Sequence, residues 1–229
     1  MCVNYLCPHP DQLPLFGVEP GGLVWQEEAW QDYAAPFIVA GRQGLELRLG
    51  NYGLVPKRHQ PDGLRLSTTN ARSETVAELK NFRYPWRAGQ RCLVPMRAFF
   101  EPSYETGRAV RWRIGLADDA PFAVAGLWRA WSEPDGSISH AFTQLTVNAE
   151  AHALMRRTHK PEDEKRSLVI VRPEDYLAWL TARRPDDAHR LLRLFPAEEM
   201  RAEDAPLAPR QGGPKPAPQP LPRTLGLFD

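Results

Sequence analysis

The chain reads as an α+β protein: a strand-rich single domain whose curled antiparallel sheets wrap one core, with a few helices outside. Three observations predict this. Six segments carry the β-branched, aromatic and alternating character of strands. Helical segments are few and short. The composition, 42% hydrophobic, 25% charged and 10% aromatic over 229 residues, is that of an ordinary globular protein able to bury a sizeable core.

Taken in order, the predicted strands are LELRLGNYGLV from Leu45, RCLVPMRAFF from Arg91, VRWRIGL from Val110, PFAVAGLWRAW from Pro121, ISHAFTQLTV from Ile138 and RSLVIV from Arg166. Asp118-Asp119 and Asp135-Gly136 fall between consecutive strands where hairpin turns belong, so residues 91–148 read as an antiparallel meander. The spacing predicts short helices over Glu74–Lys80 and Ala149–Arg157. Pro173-Glu174-Asp175 opens a third, through Trp179, with proline and acids in its first turn. From Ala205 the chain becomes APLAPRQGGPKPAPQPLPRTLGLFD, a Pro/Gly-rich stretch without periodicity. The folded domain is therefore expected over residues 2–200 and an extended, disordered tail over 201–229.

A net charge of +1 neither demands nor excludes a polyanionic partner, so any nucleic-acid site must be a local concentration of arginines. Three cysteines, Cys2, Cys7 and Cys92, make no disulfide framework. There is no apolar run of membrane-spanning length, and MCVNYLCPHPD lacks the basic-then-apolar pattern of a signal peptide. The expectation is a reduced, cytoplasmic protein. The histidines show no ligand spacing with cysteine or acid, which predicts no metal site and no cofactor.

Cys2 directly follows Met1. Removal of the methionine would give a 1,2-aminothiol, whose amine condenses with an aldehyde as a Schiff base while the thiol closes onto the imine carbon to form a thiazolidine. An α-amine titrates at about 7.7–8.0 and a thiol at about 8.5, so both nucleophiles are available near neutral pH with little tuning.

Four stretches, MCVNY at the start, TTNARSET at 68–75, CLVPMRAFFEP at 92–102 and LTVNAEAHALMRRTHKP at 145–161, resemble the SRAP family of abasic-site processing proteins, in the family's order and at comparable spacing. The resemblance implies binding of single-stranded DNA and capture of the ring-opened abasic aldehyde by the N-terminal cysteine, as a thiazolidine DNA–protein crosslink. It implies Cys2 as nucleophile with Asn70, Glu101 and His159 as polar partners, a carboxylate and an imidazole being a common pair for proton exchange. Each also has a plain structural reading: Asn70 as a helix cap or turn residue, Glu101 as a surface strand end, His159 as a solvated helix end.

Arg72 leads the expected DNA contacts, because a guanidinium grips phosphate in a fork; the alternative is an internal salt bridge to Glu74 or Glu101. Arg83, Arg87, Arg156 and Arg157 follow, with Tyr52, Trp86 and Trp128 as stacking surfaces for unpaired bases. The chain departs from the family at Cys2-Val3-Asn4-Tyr5, where Cys-Gly-Arg-Phe is usual, at Tyr52, and at Pro102, where tryptophan is frequent. Two segments, Gln12–Phe16 and the tail ending Leu225, Leu227 and Phe228, resemble the peptide by which bacterial repair proteins bind the sliding clamp; the first fits a piece of the fold, the second a tethered ligand. The sequence thus predicts a nucleoid-associated, monomeric abasic-site sensor. The competing readings are an N-terminal-cysteine peptidase or amidohydrolase and a non-catalytic single-strand-binding adaptor.

Overall fold

The computed structural model describes residues 4–207. Two sheets carry the fold. The first is antiparallel and five-stranded, and contains β1 (Asn4–Leu6), β2 (Glu28–Trp30), β7 (Ala98–Ser103), β8 (Val110–Leu116) and β13 (Met200–Asp204) in the order β13-β8-β7-β1-β2. The second has eight strands. Within it, β3 (Ala34–Ala40), β4 (Leu45–Tyr52), β10 (Ile138–Asn148), β9 (Phe122–Ser132) and β6 (Arg91–Met96) pair in a ring, a closed five-stranded barrel sealed by a parallel contact of β10 with β4. Barrel closure leaves no open edge among these five. Outside the ring, β5 (Asn70–Arg72) runs parallel to β10, β11 (Arg166–Leu168) antiparallel to β10, and β12 (Ile170–Val171) antiparallel to β9.

Strand alternation divides the barrel's side chains between two apolar clusters. Phe37, Val94, Val124 and Phe142 pack with Tyr5, Phe99 and Ile114 of the first sheet. Their neighbours Ile38, Leu93, Ala125 and Leu145 pack under Trp86 of α1 (Arg83–Arg87) and Trp179 of α2 (Tyr176–Thr181). The indole of Trp179 donates to the Cys92 carbonyl at 2.8 Å, satisfying its one donor in the core. The third helix is α3 (Pro185–His189). Gly126 of β9 has no room for a side chain: a Cβ there would stand 2.6 Å from the Thr143 carbonyl oxygen and 2.8 Å from the Cys92 sulfur.

Several expectations are corrected. Asp135-Gly136 does turn the β9–β10 hairpin, but Asp118-Asp119 joins β8 to β9 in different sheets, so the meander over residues 91–148 is split. Glu74–Lys80 forms successive turns, and the helix begins only at Arg83. Of Ala149–Arg157 only Met155–Arg157 is helical, as a single 3-10 turn. The domain also continues past the boundary expected at residue 200. β13 pairs along β8 from Met200↔Leu116 to Asp204↔Trp112, held by Arg113–Glu203 at 3.1 Å and by Arg201–Asp119. Gln12–Phe16 lies in a 3-10 helix with Leu13 and Phe16 in the core, a piece of the fold. Among the described residues, no helix is long and apolar enough to cross a membrane.

Candidate active site

Glu101 lies near the end of β7, opposite Trp112 of β8, two residues after Phe99 and so on the same face, the one that packs against the barrel. The carboxylate is buried where β7 meets the segment that leaves β10. That segment is pinned by His152, whose Nδ1 accepts from the amides of Leu154 and Met155 at 3.2 and 3.0 Å and whose Nε2–H donates to the Phe195 carbonyl at 2.8 Å. Past the 3-10 turn, Thr158 bridges to Ser103, and the His159 amide donates to the Pro102 carbonyl at 2.7 Å. His159 itself adopts φ 63°, a left-handed conformation uncommon outside glycine. This turns the chain and lays the imidazole on Glu101, with Nε2 3.1 Å from Oε2 and both side chains 5% exposed.

Asn70 comes from the barrel side. It opens β5, buried, its amide donating to the Thr69 hydroxyl at 3.1 Å, and it pairs with Gln144 of β10. Register places both amides on the face that carries Phe142. Gln144 accepts the Tyr52 hydroxyl at 3.0 Å, and the Tyr52 ring meets the Tyr5 ring edge-on at 5.2 Å. Tyr5 in turn pairs with Phe99 of β7. The structure thus joins Glu101 and His159 directly and connects Asn70 to the strand of Glu101 through Gln144, Tyr52 and Tyr5. Neither Gln144 nor Thr158 was singled out by the sequence, because a glutamine in a strand and a threonine before a histidine carry no spacing signal.

β1 runs antiparallel to β7, so its first residue, Asn4, lies toward the Glu101 end. The Asn4 amide bonds the Glu28 carboxylate, which also holds Arg111 at 2.5 Å. Cys2 and the tail residues Leu225, Leu227 and Phe228 lie outside the described residues. The other two cysteines, Cys7 and Cys92, are buried, and burial pushes both thiols up, away from the thiolate form.

Arg72 is half-exposed and pairs with Glu164 at 2.8 Å, rather than with Glu74 or Glu101. Glu74 belongs instead to buried Arg166, which it grips through two contacts of 3.0 and 2.8 Å. Arg83 and Arg156 are exposed; Arg157 is tied to Glu105 by bonds of 2.7 and 2.9 Å. Tyr52 and Trp86 are corrected: both are buried in the core, so neither offers a face to a base. Trp128 is partly covered by the Arg48 guanidinium, 5.1 Å from its ring. Among the described residues no cluster of histidine, cysteine and acidic side chains could hold a metal ion.

Residues 25–206 match the model of the SOS response associated peptidase (SRAP) family. The abasic site processing protein YoqW of Bacillus subtilis (strain 168) is 30% identical over 164 residues, 69% of this chain and 70% of that protein. The abasic site processing protein HMCES of Pongo abelii is 27% identical over 130 residues, 43% of this chain and 36% of that one. Among solved structures, a Bordetella bronchiseptica protein superposes with TM-score 0.82 at 31% identity, over 90% of this chain and all of that one. A Bacteroides thetaiotaomicron protein shares the fold at TM-score 0.71 and 21% identity, over 89% and 91% of the two chains.

Proposed function

The chain belongs to the SRAP family, and from that premise we propose that it captures abasic sites in single-stranded DNA through the α-amine and thiol of Cys2 once Met1 has been removed. The amine attacks the aldehyde carbon of the ring-opened sugar. A proton delivered to the resulting hydroxyl releases water and leaves a protonated imine, the sulfur then adds to the imine carbon, and the thiol proton returns to the group that gave one up. One water is lost, and no oxidant or metal takes part.

The observation that carries this reading is the buried Glu101–His159 pair, 3.1 Å apart. At 3.1 Å the carboxyl oxygen and the ring nitrogen stand at ion-pair distance, and a small turn of the ring aligns them for proton exchange. Screened from water, the pair is placed to lend a proton to the departing hydroxyl and to take one back from the thiol. Two facts support this role for Cys2. β1 points its N-terminal end toward Glu101, and two residues of extended chain span at most about 7 Å. The thiols of Cys7 and Cys92 are buried, which disfavours both as sulfur nucleophiles. Asn70, buried beside Gln144, carries an amide of the kind that can hold a sugar hydroxyl.

The direct test is an electrophoretic shift that survives boiling in detergent. The proposal expects it with an oligonucleotide carrying one abasic site and not with the intact strand. A shift seen only under native conditions would favour a non-covalent adaptor, and processing of a peptide substrate without a DNA adduct would favour a peptidase.

A further inference from the structure

We infer that Thr158 is a positioning residue that fixes a proton on His159 Nδ1 and so turns the other ring nitrogen, Nε2, into the one that exchanges protons with Glu101. The inference rests on the Glu101–His159 pair being the proton-transfer group of the proposed reaction.

It follows from counting hydrogens. The Thr158 hydroxyl lies 2.8 Å from the Met155 carbonyl oxygen and 3.0 Å from His159 Nδ1. A carbonyl brings no hydrogen, and two oxygens that close need one between them, so the single hydroxyl hydrogen points at Met155. The contact with Nδ1 must then use a hydrogen on the ring. With Nδ1 protonated, Nε2 is the nitrogen left to face Glu101 Oε2, 3.1 Å away, and a small turn of the ring brings it into line to take or return a proton. The opposite tautomer would put the Nδ1 lone pair against the lone pairs of an oxygen whose hydrogen is already committed.

The surroundings hold this arrangement. Thr158 is fully buried, and its β-branched side chain has few rotamers. Its backbone is bridged to Ser103, and the next amide is bonded to Pro102, so hydroxyl and imidazole cannot drift apart independently. The left-handed backbone at His159 sets the ring's direction, and Thr158 sets which nitrogen is bare.

The test uses the full chain with 15N-labelled histidine, together with Thr158→Val, which keeps the shape and removes the hydroxyl, and Thr158→Ser, which restores it. Long-range proton–nitrogen correlation, assigned through His159→Gln, should place a hydrogen on His159 Nδ1 in the wild type and in Thr158→Ser, and leave Nδ1 bare in Thr158→Val. Crosslinking to abasic DNA should slow about 10–100-fold in Thr158→Val, less than the roughly 10⁴-fold known when a charged orienting group is lost from a serine protease, because a neutral hydroxyl is the weaker anchor. Thr158→Ser should recover most of the rate. A bare Nδ1 in the wild type overturns the inference, as does a folded Thr158→Val with unchanged Nδ1 and unchanged rate. If the valine variant fails to fold, the wild-type and serine spectra decide alone. A wild type that never crosslinks, yet carries its hydrogen on Nδ1, would sink the proposed reaction and leave the proton's placement standing.

Discussion

Replacing Arg72 with alanine should weaken binding to undamaged single-stranded DNA by a calculable amount. One guanidinium nitrogen of Arg72 is engaged by Glu164 at 2.8 Å, and the side chain is 48% exposed. A guanidinium has five N–H donors, so most of the fork stays open to a phosphate. An exposed pair of this kind contributes about 0–1 kcal/mol to folding, so the variant should remain folded. Removing the cation that neutralises one phosphate of a single strand reduces the slope of log affinity against log salt by about 0.7, which is about fivefold in affinity across a decade of salt. Fluorescence anisotropy of a labelled oligonucleotide, titrated from about 50 to 200 mM salt, reads both quantities. Glu164→Gln gives the reciprocal check: removing the competing carboxylate should strengthen binding. A slope unchanged in Arg72→Ala would refute the phosphate contact and make Arg72 a partner of Glu164 alone.

Glu101→Gln and His159→Ala should each slow crosslink formation or its reversal by about 10²–10⁴-fold while leaving affinity for intact single strands nearly unchanged, as quenched time courses can show; wild-type rates in both would make the pair structural. Arg166→Met should lower the melting temperature by about 6–12 °C. Breaking a buried ion pair costs about 3–5 kcal/mol, and the lower end applies because Glu74 and Glu164 both reach solvent, at about 2–4 °C per kcal/mol for a domain of this size; calorimetry showing no loss would contradict the network. Glu133 is pushed down from 4.5 to about 2, first by its bonds from Arg58 and then by those from Ser139 and His59. A depressed carboxylate stabilises the fold above its ordinary value and loses that contribution as pH falls through the lowered one. The stability gap between wild type and Glu133→Gln should therefore be full at neutral pH and shrink below 4.5 toward 2, in urea melts; a gap independent of pH would refute the assignment.

What the sequence revealed depended on whether a side-chain pattern carried the information. The strands from Leu45, Val110, Pro121 and Ile138 were legible through their β-branched and aromatic content, whereas the single strand expected from Arg91 to Phe100 is two, β6 and β7, in different sheets. β3 was not legible, since Pro36 reads as a breaker although it pairs with Leu49 inside the barrel. β13 was hidden for a different reason: MRAED is short and mostly polar, with only Met200 and Ala202 turned to the core, and salt bridges to Arg113 and Asp119 add to its hold on β8. Three-residue strands such as β1 and β5 are too short to show a period, yet they place Asn4 and Asn70. The site divides in the same way. Glu101, His159 and Asn70 stood out through their motifs, but that Glu101 and His159 touch depends on a left-handed turn 58 positions along the chain from Glu101, which local pattern does not encode. The aromatics were misread because burial of Tyr52 and Trp86 is decided by tertiary packing, not by residue type.

The central claim is that Cys2 closes a thiazolidine on an abasic aldehyde, and intact-mass spectrometry of the adduct tests it most directly. Protein freed of Met1 and incubated with an abasic oligonucleotide, without any reductant, should give one species whose mass is the sum of the two partners less one water. Cys2→Ser should give no adduct that survives denaturation, because its imine hydrolyses. A denaturation-resistant adduct from Cys2→Ser, again the sum of its two partners less one water, or none from the wild type, would contradict the account.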